Sequence, residues 1–341
     1  LIEELAKKCI ENSNVRIIAV TGSMGKTTTV LALEKFLSIK YKVKTINRIR
    51  NSVLGMSIEI INELNDSFDF IVVEMQMDQV GQIERFCKIT IPDYSIITSI
   101  NFAHYSRFNS IETIIDEKLQ VYNYLKIGGK LLINADNEYL MDWAYGNNDE
   151  RIQLIKLKNN KHVIEYDVYG RYNFNRISVL LDDGKKYNFE LNTVGLGTLY
   201  GALYSLFFAK ELSYSKEEIK TGLSKIINPV GRFQGFLGKN NSLIIMDSYN
   251  ANFFSMVNGL DYVNNLQYKK KIIVLGSMLE LGEKTEDEHR KLGQYIKNNC
   301  AFDYIITLGE AANYISNEIN KSNVFSYYDY GSCLNKLKEL S

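Results

Sequence analysis

The residues best suited to chemistry lie near the start of the chain, in Arg16-Ile17-Ile18-Ala19-Val20-Thr21-Gly22-Ser23-Met24-Gly25-Lys26-Thr27-Thr28-Thr29. An apolar, β-branched run ends in a glycine-bearing loop, and the apolar-periodic Val30, Leu31, Leu33, Phe36 and Leu37 follow. The order reads as strand, phosphate loop, helix. Glycines let backbone N–H groups turn toward phosphate oxygens, and a helix N-terminus adds partial positive charge. Gly22, Ser23, Met24, Gly25 and Thr28 are then phosphate-lining positions. Lys26 reaches the β/γ-phosphates, and the Thr27 hydroxyl sits on Mg²⁺. The competing reading is a plain glycine turn, which does not require Gly-Lys-Thr at a strand–helix junction.

Other chemistry-bearing residues fall on the same side of the expected sheet. Asp69 to Glu74 reads as a buried parallel strand ending in a carboxylate. In a doubly wound sheet the carboxyl ends of the strands form the ligand edge. Glu74 therefore lands beside Lys26 as a second magnesium-side acid, or else is an ordinary strand-end acid. The strand Tyr94 to Thr98 leads on to His104 at that edge, and a helix from Ile111 to Lys126 carries Lys118. A strand at Lys130–Asn134 follows, then three short segments between Arg151 and Leu191 that read as an antiparallel extension. Helices at about Thr198–Leu212 and Ser215–Ile226 lead to a joint around Pro229, Gly231 and Arg232. Strands at Ser242–Asp247, Lys271–Gly276 and Asp303–Gly309 alternate with helices, which predicts a second parallel sheet.

The loop Thr21-Gly22-Ser23-Met24-Gly25-Lys26-Thr27-Thr28 has Val20 where the general phosphate-loop pattern has a glycine. This form resembles the Mur ligase family, ATP-dependent enzymes that join a carboxylate to an amine. Glu74-Met75-Gln76-Met77-Asp78-Gln79-Val80-Gly81-Gln82-Ile83 is similar to the family's Glu-Met-Gly-Met-x-x-x-Gly-Glu-Ile. Thr98-Ser99-Ile100-Asn101-Phe102-Ala103-His104 resembles Thr-x-Ile-x-x-Ala-His, and Pro229-Val230-Gly231-Arg232 resembles Pro-x-x-Gly-Arg. The resemblance implies that His104 helps hold Mg²⁺ and that Arg232 reaches the nucleotide phosphates. It also implies that Lys118 is carbamylated and faces a second Mg²⁺, although the chain has Lys118-Leu119-Gln120 where the family has Lys-x-Glu. Asn134-Ala135-Asp136 resembles the family's Asn-x-Asp. The family's Gly-x-His-Asn-x-x-Asn, which faces adenine, is here Gly195-Leu196-Gly197-Thr198-Leu199-Tyr200-Gly201, with all three polar positions replaced.

Two later loops carry the most specific likeness. Met246-Asp247-Ser248-Tyr249-Asn250-Ala251-Asn252-Phe253-Phe254-Ser255-Met256 is similar to Asp-Asp-x-Tyr-Asn-Ala-Asn-Pro-x-Ser-Met. Gly276-Ser277-Met278-Leu279-Glu280-Leu281-Gly282-Glu283, with His289 beyond it, is similar to Gly-Asp-Met-x-Glu-Leu-Gly-Glu and its trailing His. The first loop alone also reads as a capped turn entering a helix. Together they imply the branch of the family that adds D-alanyl-D-alanine to a UDP-N-acetylmuramoyl-peptide in peptidoglycan synthesis. Asp247, Tyr249, Asn250 and Asn252 would then line the inter-domain cleft as cofactor-binding residues.

The implied architecture is α/β. A P-loop central ATPase domain with a mostly parallel sheet spans 1–228, and a smaller Rossmann-like α/β C-terminal domain spans 229–341. The implied activity is an ADP-forming carboxylate–amine ligase working through an acyl phosphate, with ATP and Mg²⁺ as cofactors. Lys26, His104, Lys118 and Arg232 would be its catalytic residues. Its partners are a small-molecule or nucleotide-linked peptide substrate and an amino acid or dipeptide amine. Two alternatives stay open: an amide ligase outside cell-wall synthesis acting on a small acid or carrier-bound substrate, and a catalytically weak nucleotide-binding partner protein.

The totals agree with a soluble two-domain protein. The chain has 341 residues, 45% hydrophobic and 23% charged, with 40 basic against 40 acidic side chains. A formal net charge of zero favours neither nucleic acid nor an anionic membrane surface as partner. No apolar run approaches the roughly 18 residues a membrane span needs. Cys9, Cys87, Cys300 and Cys333 have neither metal nor redox spacing, which fits free thiols in a cytoplasmic protein. A monomer is compatible with this reading. The chain lacks an initial Met and a counterpart of the family's N-terminal domain. It also ends before the family's usual closing Asp-x-x-Leu-x-Lys-Gly-Ser. A trimmed piece and a naturally short relative are both consistent with that.

Overall fold

The fold is taken from a computed structural model. It describes residues 1–46, 52–64, 67–101, 108, 110–157, 166–168, 175–180, 185–191, 193, 195–239 and 242–340. These fall into two compact units, residues 1–101, 108–230 and 234–244 in one, and 231–233 with 245–340 in the other.

The first unit is built around short β-branched strands buried on both faces. Helix α1 (Ile2–Glu11) precedes β1 (Arg16–Thr21), and α2 (Lys26–Leu37) follows it. The chain continues through β2 (Val43–Ile46), α3 (Val53–Glu63), β3 (Phe70–Glu74), α4 (Gln82–Thr90) and β4 (Tyr94–Ile97). Next come α5 (Ile111–Lys118), α6 (Gln120–Asn123), β5 (Lys130–Asn134), α7 (Glu138–Tyr145) and β6 (Ile152–Ile155). The six strands form one sheet in the order β2-β3-β1-β4-β5-β6, every pairing parallel. Alternate β1 residues feed two cores. Ile17 and Ala19 pack with Ile71, Ile83 and Ile114 on one face, and Ile18 and Val20 with Val30, Leu33 and Leu199 on the other. The order reverses around β1, so its carboxyl end borders β3 on one side and β4 on the other.

Three short strands follow, β7 (Tyr166–Val168), β8 (Asn175–Leu180) and β9 (Lys186–Leu191), paired antiparallel. The helices α8 (Leu196–Glu211) and α9 (Lys216–Ser224) complete the layer over α2. Then come β10 (Gln234–Leu237) and β11 (Leu243–Met246), which form a two-stranded sheet. The second unit adds α10 (Phe253–Asn265), β12 (Ile272–Leu275), α11 (Thr285–Asn299), β13 (Tyr304–Leu308), α12 (Asn313–Ile319), β14 (Val324–Tyr327) and α13 (Tyr330–Leu340). Strands β12, β13 and β14 form a parallel sheet.

Three expectations change. The segment after Arg151 is not part of the antiparallel extension. Helix α7, which the sequence reading missed, carries the chain across the sheet and makes β6 a sixth parallel strand. The single helix expected over 111–126 breaks after Lys118, where the Tyr122 N–H closes a tight i→i+3 bond on Leu119 O at 2.9 Å. The strand at 242–247 pairs with the overlooked β10, so the third strand of the second parallel sheet is β14.

Helices α2 and α8 meet at small residues. A Cβ built on Gly201 would lie 2.7 Å from Ala32 Cβ, and one on Gly197 3.7 Å from Thr28 Cγ2. An asparagine at 201, as in the family pattern, has no room at this spacing. Gly201→Ala should therefore lower the melting temperature. Overpacking costs about 1–3 kcal/mol, more than the roughly 1 kcal/mol that helix propensity returns. Thermal unfolding of the variant tests this, and an unchanged or higher Tm would contradict it.

Candidate functional site at the phosphate loop

The phosphate loop is braced against the exit of β4. Gly22 takes φ +146°, and a Cβ there would lie 2.0 Å from Thr98 Oγ1. Only glycine allows this approach. The Ser23 N–H donates to Ser99 O at 2.8 Å, and the Met24 N–H to Ser99 Oγ at 3.0 Å. Ser23 Oγ also accepts the Asn101 N–H at 3.0 Å. Asn134 steadies the brace from β5, its Nδ2 donating to Thr98 O at 3.1 Å. Gly25 is left-handed at φ +82° and caps α2, and the Thr29 N–H enters the helix on Gly25 O. The first N–H groups of a helix point out of its end. The loop therefore uses Ser23 and Met24 for bracing and presents the start of α2 at its mouth.

Two side chains at that mouth are held by hydrogen bonds, one of them to Glu74, which the sequence places on the same sheet edge. Lys26 Nζ donates to Gly22 O at 2.8 Å, which folds the ammonium over the loop. Thr27 Oγ1 donates to Glu74 Oε1 at 3.1 Å, and Glu74 is buried at the end of β3. Hydroxyl and carboxylate are hard oxygen donors. They fit Mg²⁺, which binds through one or two protein oxygens and keeps waters and substrate phosphates around it. Among the described residues no group of three His, Cys, Asp or Glu could hold a metal ion. Thr28, the third threonine-bearing position of the motif, is buried against α8.

Lys118 ends α5 with only 3% of its surface exposed. Burial holds its amine well below the usual lysine range, and the Lys26 charge pushes the same way, while Glu117 opposes them. The structure thus brings Lys118 into the field of the phosphate-loop lysine. Glu117 is a residue the sequence reading missed. It is buried, and it accepts the Gly81 N–H and the Ile83 N–H, each at 2.8 Å. Its position next to Lys118 was the only signal available. His104 lies outside the described residues.

At the segment that replaces the family's adenine-facing asparagines, Thr198 is buried. Its hydroxyl accepts from Thr193 Oγ1 at 2.8 Å, and Asn228 Nδ2 lies 3.5 Å from it. Tyr200 donates its hydroxyl to Asp136 Oδ2 at 2.7 Å.

In the second unit, the Arg232 guanidinium lies 3.9 Å from the centroid of the Tyr249 ring. The flanking Gly231 and Phe233 both have positive φ, +69° and +53°. The Phe233 N–H donates to Asp247 Oδ1 at 3.1 Å, and its ring meets Tyr262 edge-on. Asn250 accepts the Ala251 N–H. Asn252 forms a capping box with Ser255 at the start of α10, so its side chain acts as the helix cap that the plainer reading foresaw. His289 is buried away from solvent. Its Nε2 accepts the Met278 N–H at 2.9 Å and its Nδ1 faces Thr285 O at 2.6 Å, which together specify the neutral Nδ1–H tautomer.

Two pH dependences follow from these burials. The lowered Lys118 pKa means that the unfolded chain binds more protons from the folded pKa up to about 10.5, so stability rises with pH across that window. Lys118→Met should flatten this rise in denaturant midpoints measured on the metal-free protein. An unchanged slope would mean that another group carries it. Burial likewise lowers the His289 pKa, so stability is complete above about 6.5 and falls as pH drops below it. His289→Gln should shrink the loss between pH 8 and 5.5, and an equal loss in both proteins would refute this.

The family description "Mur ligase middle domain" matches residues 20–209, and "Mur ligase, glutamate ligase domain" matches 231–340. The UDP-N-acetylmuramoyl-tripeptide–D-alanyl-D-alanine ligase of Borreliella burgdorferi is 32% identical over 324 residues, covering 91% of this chain and 66% of that protein. The ligase of the same name from Bacillus subtilis is 26% identical over 350 residues, covering 99% of this chain and 73% of the relative. The chain thus spans about two thirds to three quarters of the length of these curated relatives. The fold is shared with the MurF ligase of Thermotoga maritima in complex with ADP, at TM-score 0.84 and 22% identity, covering 100% of this chain and 77% of that one. It is also shared with MurF of Acinetobacter baumannii, at TM-score 0.84 and 23% identity over 99% of this chain and 73% of that one. With a family match that runs from β1 into α8 and resumes at Gly231, this chain belongs to the Mur ligase family.

Proposed function

We propose that the chain is the catalytic part of an ATP-dependent, ADP-forming ligase that joins D-alanyl-D-alanine to a UDP-N-acetylmuramoyl-peptide. The observation that carries the chemistry is the grouping of Lys26, the Thr27–Glu74 pair and the buried Lys118 around one phosphate loop. The names of the relatives support the choice of substrates. On this reading residues 1–228 are the nucleotide-binding domain and 229–341 a smaller Rossmann-like domain. Peptidoglycan synthesis in the cytoplasm is the setting this reading implies, with neither nucleic acid nor membrane insertion involved.

In the reaction the substrate carboxylate attacks the γ-phosphorus, and the bond to the β-phosphate oxygen breaks to leave ADP and an acyl phosphate. The amine then attacks the acyl carbon, loses a proton and expels phosphate. The protein's part is positioning and charge neutralisation. Gly22, Ser23, Met24 and Gly25 fix the loop, and the start of α2 from Lys26 to Thr28 faces the phosphates. Lys26 offsets β/γ charge as it moves to the leaving oxygen. Thr27 and Glu74 would hold Mg²⁺, with His104 joining them, and the ion supplies further charge neutralisation there. Lys118, as a neutral amine, attacks CO₂. A new N–C bond forms, one C=O pair becomes a carboxylate lone pair, and the ammonium proton leaves to water. The carbamate so formed is an acid suited to a second Mg²⁺. Arg232, stacked on Tyr249, is the arginine that this reading assigns to the nucleotide phosphates. Asp247 holds the Arg232 segment through the Phe233 N–H, and Asn250 and Asn252 shape the adjoining loop.

A second reading, an amide ligase acting outside cell-wall synthesis, is favoured by Gly197, Thr198 and Gly201. Thr198 is committed to a buried hydrogen-bond cluster, and Gly201 to contact with α2. The test is ADP formation from Mg·ATP with UDP-N-acetylmuramoyl-tripeptide and D-alanyl-D-alanine, with the amide identified by mass. Product that requires both substrates is expected, and Lys26→Ala should lower the rate at least about 100-fold. ADP formation with other acids and amines only would favour the second reading. Full activity in Lys26→Ala would refute both.

A further inference from the structure

The start of α4 has no side-chain cap of its own, because its N-cap is Gly81 in the left-handed region. The cap is supplied from elsewhere in the chain. Glu117, 5% exposed on the last turn of α5, spans the two N–H groups with one oxygen each, Oε2 on Gly81 and Oε1 on Ile83. A carboxylate is the favoured partner for a helix N-terminus, and charged acceptors make the stronger hydrogen bonds. From the same turn Gln82 reaches the other way, its Oε1 accepting the Asp78 N–H at 2.7 Å. That bond fastens the loop leaving β3 just after Glu74. The first turn of α4 is therefore pinned on one side to the strand exit bearing Glu74 and on the other to the helix end bearing Lys118.

The mechanical consequence falls on Lys118. Helix α5 stops at this residue, and the chain turns at Leu119 into the four-residue α6. A helix end is where backbone direction is least fixed. Glu117 is the last side chain before Lys118, and both of its oxygens are tied to a neighbouring helix. We infer that Glu117 is the positioning residue for Lys118, its two-pronged hold on Gly81 and Ile83 setting where the Lys118 amine stands at the phosphate loop. This deepens the reading of Lys118 given above and rests on it.

The test uses the full chain, Mg²⁺ and ¹³C-bicarbonate, with the carbamate carbon followed by NMR, and it needs neither ligase substrate. Glu117→Gln keeps size but places an NH₂ donor against one of the two N–H donors. The wild type should give a carbamate signal that is absent in Lys118→Met. Glu117→Gln should need at least about tenfold more bicarbonate for the same occupancy, and Glu117→Asp, which keeps the charge on a shorter arm, should lie between. Melting temperatures verify that the variants are folded. If Glu117→Gln does not fold, Glu117→Asp alone decides, with wild-type occupancy counting against the proposal. A signal in Glu117→Gln identical to the wild type at every bicarbonate concentration overturns the inference and leaves the Lys118 reading standing. No signal in the wild type overturns the Lys118 reading and the inference with it.

Discussion

The site depends on the contact of Gly22 with the exit of β4. No other residue type fits there, since even a methyl group would meet the Thr98 hydroxyl at 2.0 Å. This approach lets Ser99 take the Ser23 and Met24 N–H groups, which turns the chain sharply enough for α2 to begin at Lys26. The parallel sheet makes the contact available, because β1 and β4 are adjacent and end together. The absence of a side chain at Gly22 thus sets the direction of a helix and the placement of Lys26 and Thr27.

Around this brace, buried charge is arranged at close range. Lys26, Glu74, Glu117 and Lys118 stand on α2, β3 and α5. The last three are almost wholly buried, and isolated burial of any one would be costly. Each is given a partner or a reason to be neutral. Glu74 meets the Thr27 hydroxyl, Glu117 meets two backbone N–H groups, and Lys118 loses its proton readily because burial and Lys26 both disfavour its charge. A protein selected for stability alone would place an apolar residue at 118. Keeping a lysine there instead costs folding free energy, because its charged form is disfavoured by burial.

The second unit uses backbone strain where the first uses a glycine contact. Phe233 sits in the left-handed region without being glycine, a conformation of order 1–3 kcal/mol above the norm. Asp247 and Tyr262 hold it there, and the neighbouring Arg232 lies over the Tyr249 ring. His289 does comparable work by holding the Met278 loop through a ring nitrogen that must stay unprotonated.

Much of this was legible in the residues themselves. Strand β1, the phosphate loop, α2, β3 with its terminal Glu74, and the alternating elements of the second unit follow from period, glycine placement and β-branched runs, which are local properties. Lys26, Thr27 and Glu74 were placed together on one edge because parallel strands share a direction. The partners that decide the chemistry were not local. Helix α7 made β6 parallel, Glu117 found two N–H groups more than thirty residues away, and burial that no neighbour in sequence announces lowers the Lys118 pKa. Two positions in the later loops also do structural work that only the folded chain displays: the Asn252 side chain caps α10, and His289 holds the Met278 N–H. Sequence determined which elements form and which functional groups are on hand, since both depend on near neighbours along the chain. Tertiary structure alone decided which groups meet, which stay charged and which are spent on holding the fold, because desolvation and hydrogen-bond partners are set by packing across the chain.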